Sequence, residues 1–204
     1  RCQFLLQQGQ FVADVLYYCG NHVPNIARLK KDDPARILPQ FDYDVINEEM
    51  LLQASVKDGR VTLPSGMVYR VLVLPNLKVM SLEVARKLRD LAAAGATIVG
   101  PKPERTTGQQ DDAELKLIAN ELWDSGKITL RTAREAVGVP PDVEGIPDWI
   151  HRRTGDADIY FVCNQQAQPA RREISFRVSG RQPELWNAVT GEQRDAAAFT
   201  QKDG

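Results

Sequence analysis

The sequence has few of the residues from which metal sites and disulfide frameworks are usually built. It contains three cysteines, Cys2, Cys19 and Cys163, and two histidines, His22 and His151, in 204 residues. The cysteines are odd in number and far apart, a spacing that fits neither a disulfide framework nor a Cys-x-x-Cys metal pair. The histidines are well separated, so a histidine-rich metal site or a Ser-His-Asp hydrolase has little to draw on. We therefore expect packed thiols.

Excess charge and long apolar runs are missing as well. The net charge of -1 predicts no bulk attraction to nucleic acid or to anionic membranes, so we expect neither as a partner. No apolar run reaches the ~18 residues that a membrane span needs. Charged residues make up 26% and hydrophobic residues 43% of the chain, which is ordinary globular usage, and the length allows one large or two small domains.

The familiar nucleotide and hydrolase motifs are absent. No G-x-G-x-x-G follows a predicted strand, and no G-x-x-x-x-G-K-[ST] occurs, which argues against dinucleotide and P-loop phosphate binding. No G-x-S-x-G elbow occurs either. Cys19 ends a predicted strand, but an activated thiol needs a nearby base, and His22 lies in a predicted loop. Packing is the alternative reading for this thiol.

What the sequence does contain is an alternation of strands and helices. Three runs, "FVADVLYYC" (11–19), "FDYDVIN" (41–47) and "YRVLVL" (69–74), predict strands. Prolines at 24, 34 and 39 predict a surface excursion between the first two. Asn47 is predicted to cap a helix that begins at Glu48.

The clearest local pattern is a strand-helix-strand unit. Ser81 is predicted to cap a helix whose apolar residues recur every three or four positions up to Ala92, and Gly95 ends it before the strand "ATIVG". Such a crossover predicts a right-handed parallel pair. "DDAELKLIANELW" predicts a further helix, capped by Asp111 and Asp112. From about residue 139, a Pro- and Gly-rich connector and alternating runs predict antiparallel strands, two of them around the turn Thr154–Asp156.

A candidate ligand site follows from the second strand and its helix. Open α/β sheets bind ligands at their carboxyl edge, where Asn47 and Glu48 follow the second strand. Asp42, Tyr43 and Asp44 of the strand itself complete the set of candidate substrate-binding residues, and Asp42 and Asp44 are expected on one strand face. Two carboxylates could act as acid and base or hold a hard cation; the alternative is a solvated strand edge followed by the first turn of a helix. Three tryptophans offer sugar-stacking faces or core packing, Trp123, Trp149 and Trp186.

Several long blocks resemble the later part of the family 106 glycoside hydrolases, the α-L-rhamnosidases. The similarity covers nearly the whole chain, and the blocks are "RCQFLLQQGQFVADVLYYCG", "FDYDVINEEMLL", "VKDGRVTLPSGMVYRVLVLP", "LRDLAAAGATIVGPKP", "WIHRRTGDADIYFVCNQ" and "ELWNAVTGE". The resemblance implies a large multidomain bacterial enzyme that removes terminal L-rhamnose from plant polysaccharides. It implies a (β/α)₈ barrel whose general acid and base carboxylates do the chemistry, with calcium in the pocket of the whole enzyme.

The resemblance also implies how the chain is organised. Residues 1–10 resemble the helix that closes the barrel, 11–138 a glutamine-amidotransferase-like domain without the Cys-His-Glu set, and 139–204 a connector with the start of a β-rich domain. The expected fold class is thus α/β, with a flavodoxin-like or amidotransferase-like parallel sheet, flanking helices and an antiparallel β segment. Both ends are expected to be cut from a longer polypeptide. No catalytic or metal-binding residue of the family is matched here.

Three hypotheses follow. In the first, the chain is an accessory, scaffolding region of an α-L-rhamnosidase-like hydrolase. Its partners are then the upstream barrel of the same polypeptide and, through that barrel, a carbohydrate, and it has no cofactor of its own. In the second, it is a stand-alone flavodoxin-like module that binds a small ligand. In the third, it is an amidotransferase-like enzyme that uses Cys19.

Overall fold

The computed structural model describes residues 1–23, 25–26, 29–107 and 112–201. Pro24 of the predicted surface excursion and Asp111 of the predicted helix cap lie outside these residues. The chain divides into two compact units, one formed by Val12–Val139 and the other by Arg1–Phe11 together with Pro140–Gly204. The domain boundaries near residues 10 and 138 stay a prediction.

Short helices and strands alternate over most of the described chain. The α-helices are Cys2–Leu5 (α1), Glu48–Gln53 (α2), Leu82–Ala93 (α3), Asp112–Ala119 (α4) and Ala133–Val137 (α5), with a 3₁₀ turn at Lys30–Asp32 and a π-helical turn at Asn120–Asp124. The strands are Gln10–Phe11 (β1), Val15–Tyr18 (β2), Tyr43–Ile46 (β3), Ser55–Lys57 (β4), Arg60–Thr62 (β5), Val68–Tyr69 (β6), Val71–Val73 (β7), Val79–Met80 (β8), Thr97–Val99 (β9), Arg105–Thr106 (β10), Ile128–Thr129 (β11), Val143–Glu144 (β12), Asp148–Arg153 (β13), Asp158–Cys163 (β14), Ser175–Phe176 (β15), Glu184–Trp186 (β16) and Gln193–Asp195 (β17). None of the helices in the described ranges has the length and apolar character needed to cross a bilayer.

A parallel sheet forms the centre of the Val12–Val139 unit. Its strands lie in the spatial order β3, β2, β7, β9, β11, and every neighbouring pair is parallel. Counted along the chain this is the order 2-1-3-4-5. The strand order reverses between β2 and β7, which makes their carboxyl ends the topological switch point of the sheet.

Apolar side chains cover both faces of this sheet. Val15, Val71 and Val99 pack in one cluster with Ala133 and Val137 of α5. Because side chains alternate along a strand, Leu16, Leu72 and Ile98 point to the opposite face, and each is at most 2% exposed. Complete burial of one such aliphatic side chain stabilises the fold by about 1.5–3 kcal/mol.

Helix α3 forms as its sequence pattern predicts. The Ser81 hydroxyl accepts a hydrogen bond from the Val84 amide at 3.3 Å and caps the first turn. The apolar face of the helix is buried through Leu82, Val84, Ala85, Leu88 and Leu91. Helix α3 packs beside α2 and α4.

Antiparallel pairing dominates the other unit. Strands β1, β13 and β14 form one sheet, in which β13 and β14 are joined by the predicted turn, and β12 pairs with β15 and β16 with β17. The architecture is therefore mixed α/β, with a parallel sheet followed by antiparallel sheets, as the sequence predicts at that level.

Two predicted strands are wrong in extent. The run 11–19 is two strands, β1 and β2, because β1 pairs antiparallel with β13 whereas β2 pairs with β3 and β7 in the parallel sheet. The predicted strand from Tyr69 likewise divides at Arg70, since Val68–Tyr69 pairs with the ribbon strand β5 and only Val71–Val73 enters the parallel sheet.

Candidate functional site

At the carboxyl edge of the sheet, Glu48 connects three elements. Asn47 caps α2 by accepting from the Met50 amide at 3.0 Å, which fixes Glu48 in the first helical turn. One carboxylate oxygen of Glu48 accepts from the Tyr18 hydroxyl, at the end of β2, at 3.2 Å. The other accepts from Ser81 Oγ, at the start of α3, at 2.7 Å. Both carboxylate oxygens therefore already have a hydroxyl donor.

The surroundings keep the Tyr18 phenol protonated. Burial, and then the neighbouring Glu48 carboxylate, raise the pKa of Tyr18 well above its usual range. Tyr18 is 3% and Ser81 5% exposed, so both hydroxyls are shielded from water. The Tyr18 hydroxyl remains a donor at ordinary pH, and the group holds β2, α2 and α3 together without a free acid or base.

At the opposite end of β3, Asp42 and Asp44 also have donors. Asp42 is fully buried, and it accepts from Lys30 Nζ and from the Tyr43 amide. Asp44 accepts from the Tyr69 hydroxyl at 2.9 Å and from the Val45 amide at 2.8 Å. Their shared strand face was expected from alternation, but Asp42 precedes the strand, which begins at Tyr43.

The two tyrosines beside these carboxylates, Tyr43 and Tyr69, are uncharged at neutral pH. Burial, followed by the Asp44 carboxylate, raises the pKa of Tyr69 well above its usual range. Burial, with the nearby carboxylates of Asp33 and Asp42, raises the pKa of Tyr43 to about 12. Neither phenol supplies a proton to a reaction near neutral pH.

The five candidate residues are thus divided between the two ends of one strand. Asp42, Tyr43 and Asp44 lie at its beginning, and Asn47 and Glu48 follow its end. Calcium takes six to eight oxygen ligands that converge on one point. Over the described ranges no group of three or more His, Cys, Asp or Glu residues could hold a metal ion, so these residues do not fit a calcium site.

The switch point between β2 and β7 is nearly closed. A cavity of about 10 Å³ lies there, lined by Tyr18, Gly20, Pro75, Leu77 and Pro101 among others. That is about the space one water molecule needs. A Cβ atom at Gly20, whose φ is +81°, would come within 2.7 Å of a methyl group of Leu77, so the loop after β2 packs directly on its neighbour.

Among the described residues, the Cys19 thiol has no base as a hydrogen-bond partner. Its hydrogen bonds run to the Gly20 carbonyl oxygen at 3.7 Å and from the Asn25 amide at 3.5 Å. Neither group can accept the thiol proton and activate the sulfur as a nucleophile.

The three tryptophans have different environments. Trp149 is 6% exposed and packs with Val143 and Ile146. Trp123 donates its indole N–H to the Gly100 carbonyl at 2.8 Å. Trp186 is 49% exposed and donates to Glu184 at 2.8 Å, in a groove of about 260 Å³.

A buried ionic cluster that the sequence did not predict lies on the β13–β14 hairpin. His151 has no exposed surface, and its ring nitrogens lie 2.8 Å from Asp142 Oδ2 and 3.0 Å from Asp158 Oδ1. The ring stacks on Tyr160 at 4.0 Å, and the Tyr160 hydroxyl donates to Asp142 at 3.2 Å. The available signal was the hairpin register, which places His151 opposite Tyr160 and Arg153 opposite Asp158.

The electrostatics of this cluster follow from its burial and its cations. Burial alone would raise the pKa of Asp158, but hydrogen bonds from Arg153 and His151 outweigh it and hold the pKa below its usual range. Burial, and then the Asp142 carboxylate, raise the pKa of Tyr160. The cluster is enclosed by protein, so its geometry suits a structural connection between strands.

Comparison with known proteins gives a family assignment. The sequence model of the glycoside hydrolase family 106, described as alpha-L-rhamnosidase, matches residues 1–201. A rhamnosidase structure from Novosphingobium sp. PP1Y is similar, with a TM-score of 0.81 and 30% sequence identity over 94% of this chain and 21% of that one. A protein of Formosa agariphila described as "Putative beta-glucuronidase" is 34% identical over 217 residues.

The chain spans about a fifth of the length of these relatives. It covers 18% of the Formosa protein and 21% of the Novosphingobium rhamnosidase, while 98% and 94% of its own residues are matched. The match of the family model over nearly every residue decides the assignment. The chain belongs to the family 106 glycoside hydrolases, the α-L-rhamnosidase family.

Proposed function

We propose that this chain is an accessory, scaffolding region of an α-L-rhamnosidase-like hydrolase that removes terminal L-rhamnose from plant polysaccharides. The carboxylates that break the glycosidic bond then belong to a barrel outside these residues, and this region supports that barrel. The carbohydrate is a partner of the whole enzyme. Any calcium that the enzyme binds lies elsewhere than at Asp42, Asp44 and Glu48.

The observation that carries the proposal is that the candidate carboxylates are already hydrogen-bonded within the fold. Glycoside hydrolysis with inversion needs two carboxyl groups about 6.5–9.5 Å apart on either side of the scissile bond. Glu48 instead accepts two hydroxyl hydrogen bonds that join neighbouring elements, and Asp44 accepts from a buried tyrosine. The cavity at the switch point, lined by Tyr18 and Leu77 among others, measures about 10 Å³, which is about the space of one water molecule.

The finer description of the fold belongs to the same proposal. The strand order 2-1-3-4-5 is that of flavodoxin-like sheets, and it supports a flavodoxin-like or amidotransferase-like domain over residues 11–138. Residues 1–10 would end the barrel, and residues 139–204 would connect to a β-rich domain. Among the described residues Cys19 has no hydrogen bond to a base, which supports a domain without amidotransferase chemistry.

The stand-alone small-ligand module is the second candidate, and the geometry favours it less. Ligand pockets usually measure about 300–1,000 Å³, and the switch-point cavity is far smaller. A thermal-shift assay of the chain with flavin mononucleotide and with adenosine nucleotides tests it. We expect no increase in Tm, and a saturable increase would favour the second candidate.

The decisive experiment measures turnover with and without the rest of the enzyme. We expect the 204-residue chain alone to release no nitrophenol from 4-nitrophenyl α-L-rhamnoside, and the full-length enzyme that contains it to do so. Circular dichroism of the isolated chain provides the control for folding. Turnover by the folded chain alone that is abolished by Glu48→Gln would overturn the proposal.

A further inference from the structure

Strand β14 forms an open edge of its sheet. It is the outer strand in the order β1, β13, β14, and its six residues, Asp158–Cys163, pair with Asp148–Arg153 of β13 without a bulge. The strand contains no lysine and no proline. Proteins usually protect an exposed edge strand by shortness, lysine, proline or a bulge, because its unpaired backbone groups are a template for another strand. Strand β14 has none of these protections.

The pairing pattern identifies the backbone groups of β14 that face outward. In an antiparallel pair, residues bonded to the partner strand alternate with residues whose N–H and C=O groups point away from it. The Thr154 amide donates to the Ala157 carbonyl at 2.9 Å, and the Arg153 carbonyl oxygen lies against Gly9, beside β1. Arg153 therefore directs its backbone groups away from β14, and the residue opposite it directs its own away from β13. By alternation, the outward-facing residues of β14 are Asp158, Tyr160 and Val162.

These outward groups have no backbone partner among the described residues. Strand β14 pairs with β13 alone, and no backbone hydrogen bond from a loop or turn in the described ranges reaches Tyr160 or Val162. Val162 is 37% exposed, and the chain that follows it is exposed as far as residue 173. The edge is therefore accessible to another strand.

The other sheet edges in the described ranges are blocked or short. At the edge strand β3, the amides of Tyr43 and Val45 donate to the carboxylates of Asp42 and Asp44, at 2.9 and 2.8 Å. Each carboxylate occupies an amide that an incoming strand would need. The remaining edge strands of the described chain have two or three residues. Strand β14 is thus the edge best suited to accept a partner strand.

The length of the related proteins indicates where such a strand comes from. Between 94% and 98% of this chain is matched, yet it covers only 18–21% of the relatives. The corresponding region of those proteins therefore belongs to a polypeptide about five times as long. A strand on the same polypeptide is held near the edge at an effective concentration that can reach the millimolar range, which favours it over a separate molecule.

We propose that the open edge of β14 accepts a β-strand from the part of the enzyme outside these 204 residues, through backbone hydrogen bonds to Asp158, Tyr160 and Val162. The proposal rests on the accessory role proposed for this chain, and it names one contact through which the region joins the rest of the enzyme. Val162 lies opposite Trp149, which packs with Tyr160 on the buried face of the sheet. An apolar side chain of the added strand beside Val162 extends that buried face.

Hydrogen–deuterium exchange resolved to single residues tests the pairing. In the isolated chain we expect the amides of Tyr160 and Val162 to exchange fast, and those of Ile159 and Phe161, which face β13, to exchange slowly. In the full-length enzyme Tyr160 and Val162 should exchange at least about 100-fold more slowly. Unchanged exchange would overturn the proposal. Protection already present in the isolated chain would overturn it too, and protection that grows with concentration would identify a second copy as the partner.

Two proline substitutions distinguish strand pairing from simple covering. Val162→Pro removes an outward amide, at an edge position where proline is tolerated, whereas Ile159→Pro removes an amide that faces β13. In the isolated chain we expect Val162→Pro to change the Tm by less than about 2 °C, and Ile159→Pro to lower it by at least about 6 °C or to prevent folding. In the full-length enzyme Val162→Pro should return the Tyr160 amide to fast exchange. Equal losses of Tm, or slow exchange of Tyr160 in that variant, would refute strand pairing.

Photo-crosslinking identifies the partner. With p-benzoylphenylalanine in place of Val162 in the full-length enzyme, we expect a cross-link to a peptide of the same molecule outside these 204 residues. A cross-linked dimer, or no cross-link outside these residues, would contradict the proposal. Turnover of 4-nitrophenyl α-L-rhamnoside by the same preparations separates the two proposals. An active full-length enzyme with an unprotected β14 edge contradicts only the added strand, whereas turnover by the isolated chain contradicts the accessory role.

Discussion

Glu48→Gln separates a structural carboxylate from a catalytic one. The carboxylate accepts from Tyr18 at 3.2 Å and from Ser81 at 2.7 Å. A glutamine can still accept one of these bonds through its carbonyl oxygen, but it loses the charge on the acceptor. A hydrogen bond to a charged group contributes about 1.5–3 kcal/mol and a neutral one about 0.5–1.5 kcal/mol. We therefore expect the free energy of unfolding of the chain to fall by about 1–2 kcal/mol.

The effect on turnover should be small by comparison. Loss of a general acid or base lowers turnover by about 10²–10⁴-fold, so the two roles differ by orders of magnitude. In the full-length enzyme we expect Glu48→Gln to leave kcat/KM on an aryl α-L-rhamnoside almost unchanged. In the isolated chain the Tm should fall by about 2–8 °C.

A matched variant controls for the carboxylate-to-amide change itself. Asp44→Asn alters the bond to Tyr69 at the other end of the same strand, and it should also lower stability and leave turnover unchanged. A loss of 100-fold or more in kcat for Glu48→Gln alone, with the enzyme still folded, would refute the structural reading of the edge.

Three further substitutions test the packing, the backbone and the ionic cluster. Leu88→Ala, at a position with no exposed surface, should lower the free energy of unfolding by about 2–5 kcal/mol in urea titrations, while Leu117→Ala, at a position 72% exposed, should change it by less than about 0.5 kcal/mol. Gly145→Ala should lower the free energy of unfolding by at least about 2 kcal/mol, because φ is +92° and the new Cβ would lie 2.1 Å from a backbone carbonyl oxygen. The control Gly180→Ala, at φ +68° with open space around it, should lower it by about 1–2 kcal/mol. Equal effects of the two substitutions would contradict the close approach at Gly145. Hydrogen bonds from arginine and histidine lower the pKa of Asp158 despite its burial, so its contribution is present above about pH 3.9 and is lost as the pH falls through the folded value. Asp158→Asn should flatten the acid limb of Tm between pH 6 and pH 2, and an unchanged limb would count against that assignment.

Elements with strong local signals could be predicted closely from the sequence. Helix α3 carries its own cap and its own apolar face, so Ser81 and the spacing of apolar residues sufficed to place it at Leu82–Ala93. The division of the first predicted strand could not be read in this way. Its cause is tertiary, because Gln10 and Phe11 pair with Arg153 and Arg152 of β13, whereas Val15–Tyr18 pairs with β3 and β7.

The same distinction holds for the carboxyl edge. The strand order of an α/β sheet predicts that Glu48 lies near the ends of other strands, and it does. The role of Glu48 depends on which groups reach its oxygens, and its two donors lie 30 and 33 residues away in sequence. Tyrosine and serine at strand ends and helix starts are common, so residue type alone does not distinguish a satisfied carboxylate from a reactive one.

The contact of His151 with Asp158 could be predicted from the sequence, and its contact with Asp142 could not. Once the turn at residues 154–156 is placed, the hairpin register puts His151 opposite Tyr160, with Asp158 on the same face two residues away. One ring nitrogen could therefore have been assigned an acidic neighbour from the sequence. Asp142 lies in the connector before β12, where no periodic pattern fixes the direction of a side chain. The contact between His151 and Asp142 therefore follows from the tertiary fold.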